Sequence, residues 1–433
     1  MGRLAARSAV GGQSSPWQVN YGYGPGGELL AVHDSVHGQR RYSLDAAGRI
    51  TSVEGDTATE HYTYDPAGNI TNAEWYTPNT DAATQGQRSY QGSLLVQAGR
   101  DRYEYDTAGR LTGRSRALLS GGVKQWRFTW NSLNQLTATT TPDGHHWTYH
   151  YDALNRRTSK THHDPTGHIV ETYHFTWDGP TLIEQTHTTN NTTTTTTWEH
   201  EGLTPIAQTT HHERSQTAVD AEFAAIITDL VGTPIRLLDT NGKTTWTNHA
   251  NTWGATTANH TMPLRFAGQY HDTETGLYYN YNRYYNPDTG RYITTDPLGL
   301  TPSPNPHTYV TNPTTTIDPL GLTSCGAHDD SAETSAATPG VPIGPGSEKA
   351  QTVLDRVDAA GAPLPGYKGG SVFKNTEGKL PETPGVTYRE WDVNPYTKGV
   401  NRGAERVVTG SDGSAYWTGD HYDTFLMFRG PTE

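Results

Sequence analysis

The sequence predicts a mainly β chain: a long array of strand repeats forming one curved sheet, then a small α+β domain with one helix packed on an antiparallel sheet. Three observations lead there. Of 433 residues 46 are Gly and 26 Pro, only 32% are hydrophobic, and 25 Tyr and 11 Trp stand against 7 Phe. That is too much turn-former and too little aliphatic content for a helical bundle or a doubly wound α/β enzyme, and too aromatic for disorder. A short aromatic segment recurs through the first half of the chain, and beyond residue 347 the repeat gives way to a helical spacing followed by short apolar runs.

Residues 1–34 carry no clear repeat. From residue 35 to 262 the recurring segment is RYSLDAAGRIT at Arg41, HYTYDPAGNIT at His61, RYEYDTAGRLT at Arg102, RFTWNSLNQLT at Arg127 and YHYDALNRRT at Tyr149. Its Asp or Asn falls at Asp45, Asp65, Asp106, Asn131, Asp152 and Asp178. These steps are about 20–26 residues, with one double step that holds a degenerate copy near Tyr90. Aromatics alternating at period two, then Asp-x-x-Gly or Asp-x-x-Asn, then β-branched residues read as strand, turn, strand. Such a unit cannot bury its aromatic face alone, so neighbours must stack into a continuous sheet. The Thr-rich stretch Thr192–Thr197 reads as a surface loop.

Residues 263–322 end with two Asp-Pro-Leu-Gly-Leu motifs that hold Asp296 and Asp318. From the residues alone, Asp-Pro-x-Gly is a turn; two carboxyls forced together can also share a proton, one acting as base while the other stays protonated. Residues 323–347 have a small, polar, Pro- and Gly-rich linker composition. In residues 348–433, Ala350, Val353, Leu354 and Val357 follow helical spacing, with Ser347 as N-cap and Gly361 as stop. Short strands follow.

This tail holds a candidate catalytic set: Glu390, Arg402, Arg406 and His421. Cleaving RNA by transphosphorylation needs a base for the 2′-OH proton, an acid for the 5′-oxygen and cations for the charge on phosphorus. Strand alternation puts Glu390 on one face with Tyr388 and Asp392, and Arg402 with Arg406 on one face of the next strand. Taken singly, each of these residues is more often just surface.

Two resemblances sharpen the reading. The repeats resemble the YD repeats of RHS proteins, and PLRFAGQYHDTETGLYYNYNRYYNPDTGRYITTDPLGL from Pro263 resembles the core that closes such arrays. The resemblance implies a β-sheet shell enclosing a C-terminal passenger. It also implies an autoproteolytic site of Asp296, Asp318 and Arg283 that cuts after Leu322. The tail is similar to the small guanyl-specific bacterial ribonucleases of the barnase-like fold, through SVFKNTEGKLP, TYREWDV, NRGAERVVTG and YWTGDHYDTF in that order. That implies Glu390 as general base, His421 as general acid, Arg402 and Arg406 on the phosphate, and a guanine site of Phe373, Lys374, Asn375, Glu377 and Tyr422. Thr376 and Glu405 stand where arginines are common in that family.

The function read from the sequence is therefore an RHS-type toxin: a ribonuclease cutting single-stranded RNA after guanosine, freed by self-cleavage, with no metal or cofactor. Expected partners are RNA, an acidic immunity protein and a component of a secretion apparatus; the expected location is outside the producing cell or inside a target cell. The alternatives are an extracellular adhesive or carbohydrate-binding repeat protein with an inert tail, and a tail that binds RNA without cutting it.

Other classes are disfavoured. The lone Cys325 allows neither an intrachain disulfide nor a Cys-based zinc site. A net charge of −13 argues against generic duplex binding, and an acidic shell beside a tail of ten basic and twelve acidic residues would oppose RNA entry. No run of about 18 apolar residues crosses a bilayer. The start MGRLAARSAVGGQSSP lacks the apolar centre of a signal peptide. That predicts the distal part of a longer polypeptide, or a displaced cassette.

Overall fold

The computed structural model describes residues 4–9, 17–36, 38–56, 59–76, 82–214, 217–256, 261–326, 350, 353–354, 356–358, 361–363, 366–376, 379–380, 385–394, 405–418, 422 and 426–429. The chain divides into two compact units, Met1–Asp329 and Asp330–Glu433.

The first unit is built on a 22-stranded sheet in which each strand pairs antiparallel with its neighbours in sequence. The sheet already begins at Ala6–Ala9, ahead of the repeats legible from residue 35. Each repeat is a hairpin whose turn is set by its Asp or Asn. In the turn after Tyr105, Asp106 Oδ1 accepts the amides of Ala108 and Arg110 at 2.9 and 3.0 Å. The residue three beyond the Asp or Asn must take a left-handed backbone. Gly109 does so at φ 76° and Asn155 at 66°, which is why Gly or Asn stands there after Asp45, Asp65, Asp106, Asn131 and Asp152; at Asp178 the turn is tighter and the left-handed residue is Gly179 at 51°. The Arg that follows closes on its own Asp and reaches the next turn: Arg110 Nε lies 2.7 Å from Asp106 Oδ2 and Arg110 Nη1 2.7 Å from the Asn131 carbonyl.

The aromatic pair does two jobs. The first member (Tyr62, Tyr103, Phe128, Tyr149, Phe175) is buried. The second is half-buried and carries a polar tip that reaches back one repeat: Tyr64 Oη to the Ile50 carbonyl at 2.7 Å, Trp130 Nε1 to Leu111 at 2.6 Å, Tyr151 Oη to Leu136 at 2.9 Å, Trp177 Nε1 to Arg157 at 2.9 Å. Tyr90 makes the same bond to Ile70 at 2.8 Å, so the degenerate copy sits in the ladder. The strand register shifts by one residue just before this second aromatic, between Thr63 and Tyr64, Thr129 and Trp130, and His150 and Tyr151. A bulge at the same place in repeat after repeat adds twist each time, and the sheet curls. Late strands thereby meet early ones: Arg236 Nη2 lies 2.8 Å from Asp34 Oδ1, and Arg7 Nη1 2.9 Å from the Asp229 carbonyl.

One expectation is corrected. Thr192–Thr197 is not a loop but part of the strand Thr192–Glu201, paired with Thr181–Thr189 and Thr204–Arg214. Threonine is β-branched and suits a pleated strand whatever its monotony.

Residues 263–322 fill the inside of the curl. Four short strands, Tyr270–Asp272, Leu277–Asn280, Arg283–Asn286 and Arg291–Tyr292, form a sheet with every residue buried. It docks through charge as well as aromatic surface. Arg157 pairs with Asp272 at 2.6 Å, and Lys160 reaches Asp272 at 3.0 Å and Glu274 at 2.9 Å, all of them buried. Tyr151 Oη also lies 2.7 Å from Tyr284 Oη.

In the second unit, Gly369–Phe373, Tyr388–Asp392, Arg406–Gly410, Ala415–Thr418 and Leu426–Arg429 form a five-stranded antiparallel sheet in chain order. Ala350, Val353, Leu354 and Val357 are helical, as their spacing predicts, and cluster with Trp391, Val393, Val407 and Ala415 on one face. Tyr388, Val408 and Tyr416 line the other face with Leu380, and Phe373 and Tyr422 pack against them. The helix covers one side of the sheet and leaves the other for the site.

The aromatic ladder makes a checkable claim. Tyr151→Phe removes the donor to Leu136 and the contact to Tyr284, and should cost about 1–3 kcal/mol of unfolding free energy in a denaturant titration. Tyr76→Phe, at a position 78% exposed, should leave the midpoint in place.

Candidate active sites

The first candidate site lies among the buried strands of residues 263–322. Both Asp-Pro-Leu-Gly-Leu motifs are turns, with Gly299 at φ 68° and Gly321 at 66°. Each Asp caps its own turn: Asp296 Oδ1 accepts the Leu298 amide and Asp318 Oδ1 the Leu322 amide, both at 2.8 Å. The second oxygens converge on one nitrogen, since Arg283 Nη2 lies 2.9 Å from Asp296 Oδ2 and 3.1 Å from Asp318 Oδ2. The three residues named from sequence are thus brought together. The turn reading and the paired-carboxyl reading hold at once, because the turn is what presents the carboxyl.

Arg283 also gathers the end of the second motif. Its Nε donates to the Gly321 carbonyl at 2.6 Å, and Nη2 lies 3.5 Å from the Leu322 carbonyl. Asn282 holds the Leu320 carbonyl at 3.1 Å through Nδ2. Leu322 is buried while Thr323 and Ser324 are exposed, so the bond between 322 and 323 sits where the chain leaves the interior. Burial pushes the Asp296 carboxyl above the usual range; Arg283 pulls the other way and the nearby Asp318 adds to the rise.

Sequence reading missed three neighbours. Tyr292 Oη donates to Asp318 Oδ2 at 2.8 Å and its ring lies under the Arg283 guanidinium, 3.6 Å from ring centroid to Cζ. Asn280 Nδ2 donates to Tyr292 Oη at 2.7 Å and to the Asp318 carbonyl at 2.9 Å. His307, 1% exposed, has Nδ1 3.3 Å from the Tyr292 carbonyl, and burial pushes it down to about 3. Tyr292 stands four residues before Asp296 and Asn280 three before Arg283, spacings that carry no chemical signature of their own.

The second candidate site lies on the helix-free face of the tail sheet. Glu390 pairs across strands with Val408, and Asp392 with Arg406, so Glu390 and Arg406 share that face. The Tyr422 hydroxyl donates to Glu390 Oε2. Burial, and then that bond, push the phenol up to about 12. Phe373 packs on Tyr422 with ring centroids 5.1 Å apart. Arg406, 3% exposed, is held by Asp392 at 3.1 Å and by the Glu405 carbonyl at 2.7 Å. Lys374 is exposed, and Asn375, at φ 45°, folds its loop by clamping Leu380: Nδ2 to the carbonyl at 2.8 Å, Oδ1 from the amide at 3.0 Å. Of the residues named from sequence, Arg402, His421 and Glu377 lie outside the described residues. The strand holding Arg406 begins at Arg406 itself. Among the described residues no group of three or more His, Cys, Asp or Glu could hold a metal ion.

Comparison with known proteins follows this division. A family model described as Teneurin YD-shell matches residues 30–309, and one described as ribonuclease matches residues 332–429. Double-stranded DNA deaminase toxin A of Burkholderia cenocepacia is 34% identical over 337 residues, covering 72% of this chain and 23% of that protein. Toxin protein Tse5 of Pseudomonas aeruginosa is 29% identical over 364 residues, covering 71% and 27%. The chain spans about a quarter of the length of these two toxins. Among solved structures, ribonuclease Sa2 with guanosine-2′-cyclophosphate is 37% identical, over 20% of this chain and 88% of that one, at a TM-score of 0.16. TcdB2-TccC3 without its hypervariable C-terminal region is 20% identical, over 71% and 18%, at a TM-score of 0.47.

His307 gives the first site a pH signature. Its native pKa lies far below the unfolded value of 6.5, so the unfolded chain takes up a proton that the native chain refuses. Its share of stability is whole above pH 6.5 and drains away as pH falls toward 3. Thermal melts of His307→Gln against wild type should show a shallower loss of stability across that window; parallel curves would contradict the assignment.

Proposed function

This chain belongs to the YD-shell family and carries a C-terminal ribonuclease-type domain, and we propose on that footing that it is a delivered RHS-type toxin. Its effector is an endoribonuclease that cuts single-stranded RNA after guanosine. Relatives named as toxins, with a DNA deaminase among them, support a shared repeat body joined to exchangeable effectors.

The observation that carries the nuclease reading is the placement of Glu390, Arg406 and Tyr422 on the one sheet face that the helix leaves open. Glu390 takes the proton from the 2′-OH, whose oxygen attacks phosphorus. His421 protonates the departing 5′-oxygen, and a 2′,3′-cyclic phosphate remains. Arg406, already oriented by Asp392, joins Arg402 in neutralising the charge that builds on the phosphate. Phe373 and Tyr422 supply aromatic surface for the nucleotide, and Glu377 with the backbone of Lys374 and Asn375 reads the guanine edge. The Asn375–Leu380 clamp supports this by shaping the loop before any base arrives.

The second half of the proposal is self-cleavage after Leu322 by Asp296 and Asp318, with Arg283 beside the Leu322 carbonyl, which separates the effector from the shell. A producing cell then needs an inhibitor, an acidic protein that answers Arg402 and Arg406, and a secretion apparatus for delivery.

Two outcomes are expected. Glu390→Gln or His421→Ala should lower cleavage of a guanosine-containing dinucleotide by about 10²–10⁴-fold, read as loss of the 2′,3′-cyclic phosphate product. Full activity in both would sink the nuclease assignment. Asp318→Asn should leave the purified chain at full length on a denaturing gel, whereas continued splitting after Leu322 would refute the protease.

A further inference from the structure

The two carboxyls that share Arg283 are not equivalent, and the groups behind them differ. Asp296 Oδ2 faces Arg283, and its Oδ1 takes one backbone amide. Asp318 takes a backbone amide, Arg283 and, in addition, the hydroxyl of Tyr292. The direction of that last bond is fixed by what stands behind it. The Asp318 backbone carbonyl can only accept, so the Asn280 atom 2.9 Å away is its NH₂ group. The same NH₂ lies 2.7 Å from Tyr292 Oη and can only donate there too. Tyr292 Oη is thereby an acceptor toward Asn280, and its single proton is left for Asp318 Oδ2.

Resting on the reading that this dyad cuts the chain after Leu322, we propose that Asn280 and Tyr292 are positioning residues that make Asp318 the base and Asp296 the acid of the pair. A fixed donor on a carboxylate favours its charged form. Asp318 takes a proton from a water whose oxygen adds to the Leu322 carbonyl carbon, and Arg283 faces the oxygen that gains charge. Asp296 gives its proton to the Thr323 nitrogen, the carbon–nitrogen bond breaks, and a Leu322 carboxyl and a Thr323 amine result. The upward push on Asp296 agrees with its holding the proton at the start. Burial keeps the Tyr292 phenol protonated and able to donate.

The test follows self-cleavage of the full chain after dilution from denaturant, at a series of pH values, as the fraction cut on a denaturing gel. Tyr292→Phe keeps the ring over Arg283 and loses only the hydroxyl. It should slow cleavage about 10-fold or more and move the acidic limb of the pH–rate profile to higher pH. Tyr285→Phe removes an equally buried hydroxyl from the same small sheet, bonded instead to the Trp253 carbonyl at 2.8 Å, and should leave both rate and profile unchanged. A wild-type rate and profile in Tyr292→Phe, with Asp318→Asn blocked, overturns the positioning role alone; cutting by Asp318→Asn overturns the dyad itself. Should Tyr292→Phe melt early, Asn280→Ala decides: a slower rate with the same upward shift upholds the proposal, and an unshifted profile overturns it.

Discussion

The bond on which the first unit depends runs from the polar tip of a repeat's second aromatic, at Tyr64, Tyr90, Trp130, Tyr151 and Trp177, to a backbone carbonyl one repeat earlier. A hairpin with one aromatic face has no interior of its own. The half-buried Tyr or Trp answers this by burying its ring against the preceding hairpin and placing its hydroxyl or indole N–H on a carbonyl there. Phenylalanine packs as well but has nothing to donate, which explains why Tyr and Trp so outnumber Phe in this chain. Where Arg49, Arg110 and Arg156 reach forward to a later turn, neighbouring repeats are tied a second time, and the regular bulge turns that linkage into curvature.

Curvature creates an inside, and residues 263–322 occupy it. The buried cluster of Arg157, Lys160, Asp272 and Glu274 contributes little net free energy, because desolvating four charges offsets most of their attraction. Its effect is on position. A small sheet of tyrosines could slide along an aromatic wall, whereas a charge cluster satisfied in one arrangement holds it in one register. The acid pair needs such a support: Arg283 must face Asp296, Asp318 and two backbone carbonyls together, and a shift of an ångström would leave it among partners it cannot reach.

Much of this was legible in the sequence, and the limits have physical causes. Period-two aromatics with Asp-x-x-Gly turns specify a hairpin locally, so the repeats and their sheet could be read residue by residue. Thr192–Thr197 could not, because low complexity suggested a loop while the β-branched side chains favoured the strand that forms. Asp296, Asp318 and Arg283 were marked by their motifs. Tyr292, Asn280 and His307 were not, since an ordinary tyrosine, asparagine or histidine becomes part of a site only when the fold carries it there. In the tail, the facing of Glu390 and Arg406 followed from strand alternation. The bond from Tyr422 to Glu390 did not, as Tyr422 lies outside the strands and at a left-handed backbone angle of 77°.

The chain crosses from buried to exposed between Leu322 and Thr323. A cut at that bond would leave two ends with unequal fates. The new carboxyl end stays wedged beside Arg283, with Gly321, Leu320 and Asp318 still held by Arg283, Asn282 and Asn280. The new amino end begins in solvent, and just beyond it Cys325 and Gly326 pair with Ile317 and Thr316. Under the proposed self-cleavage the retained end would stay beside Asp296 and Asp318 in the place of a further substrate, so that each molecule would make a single cut.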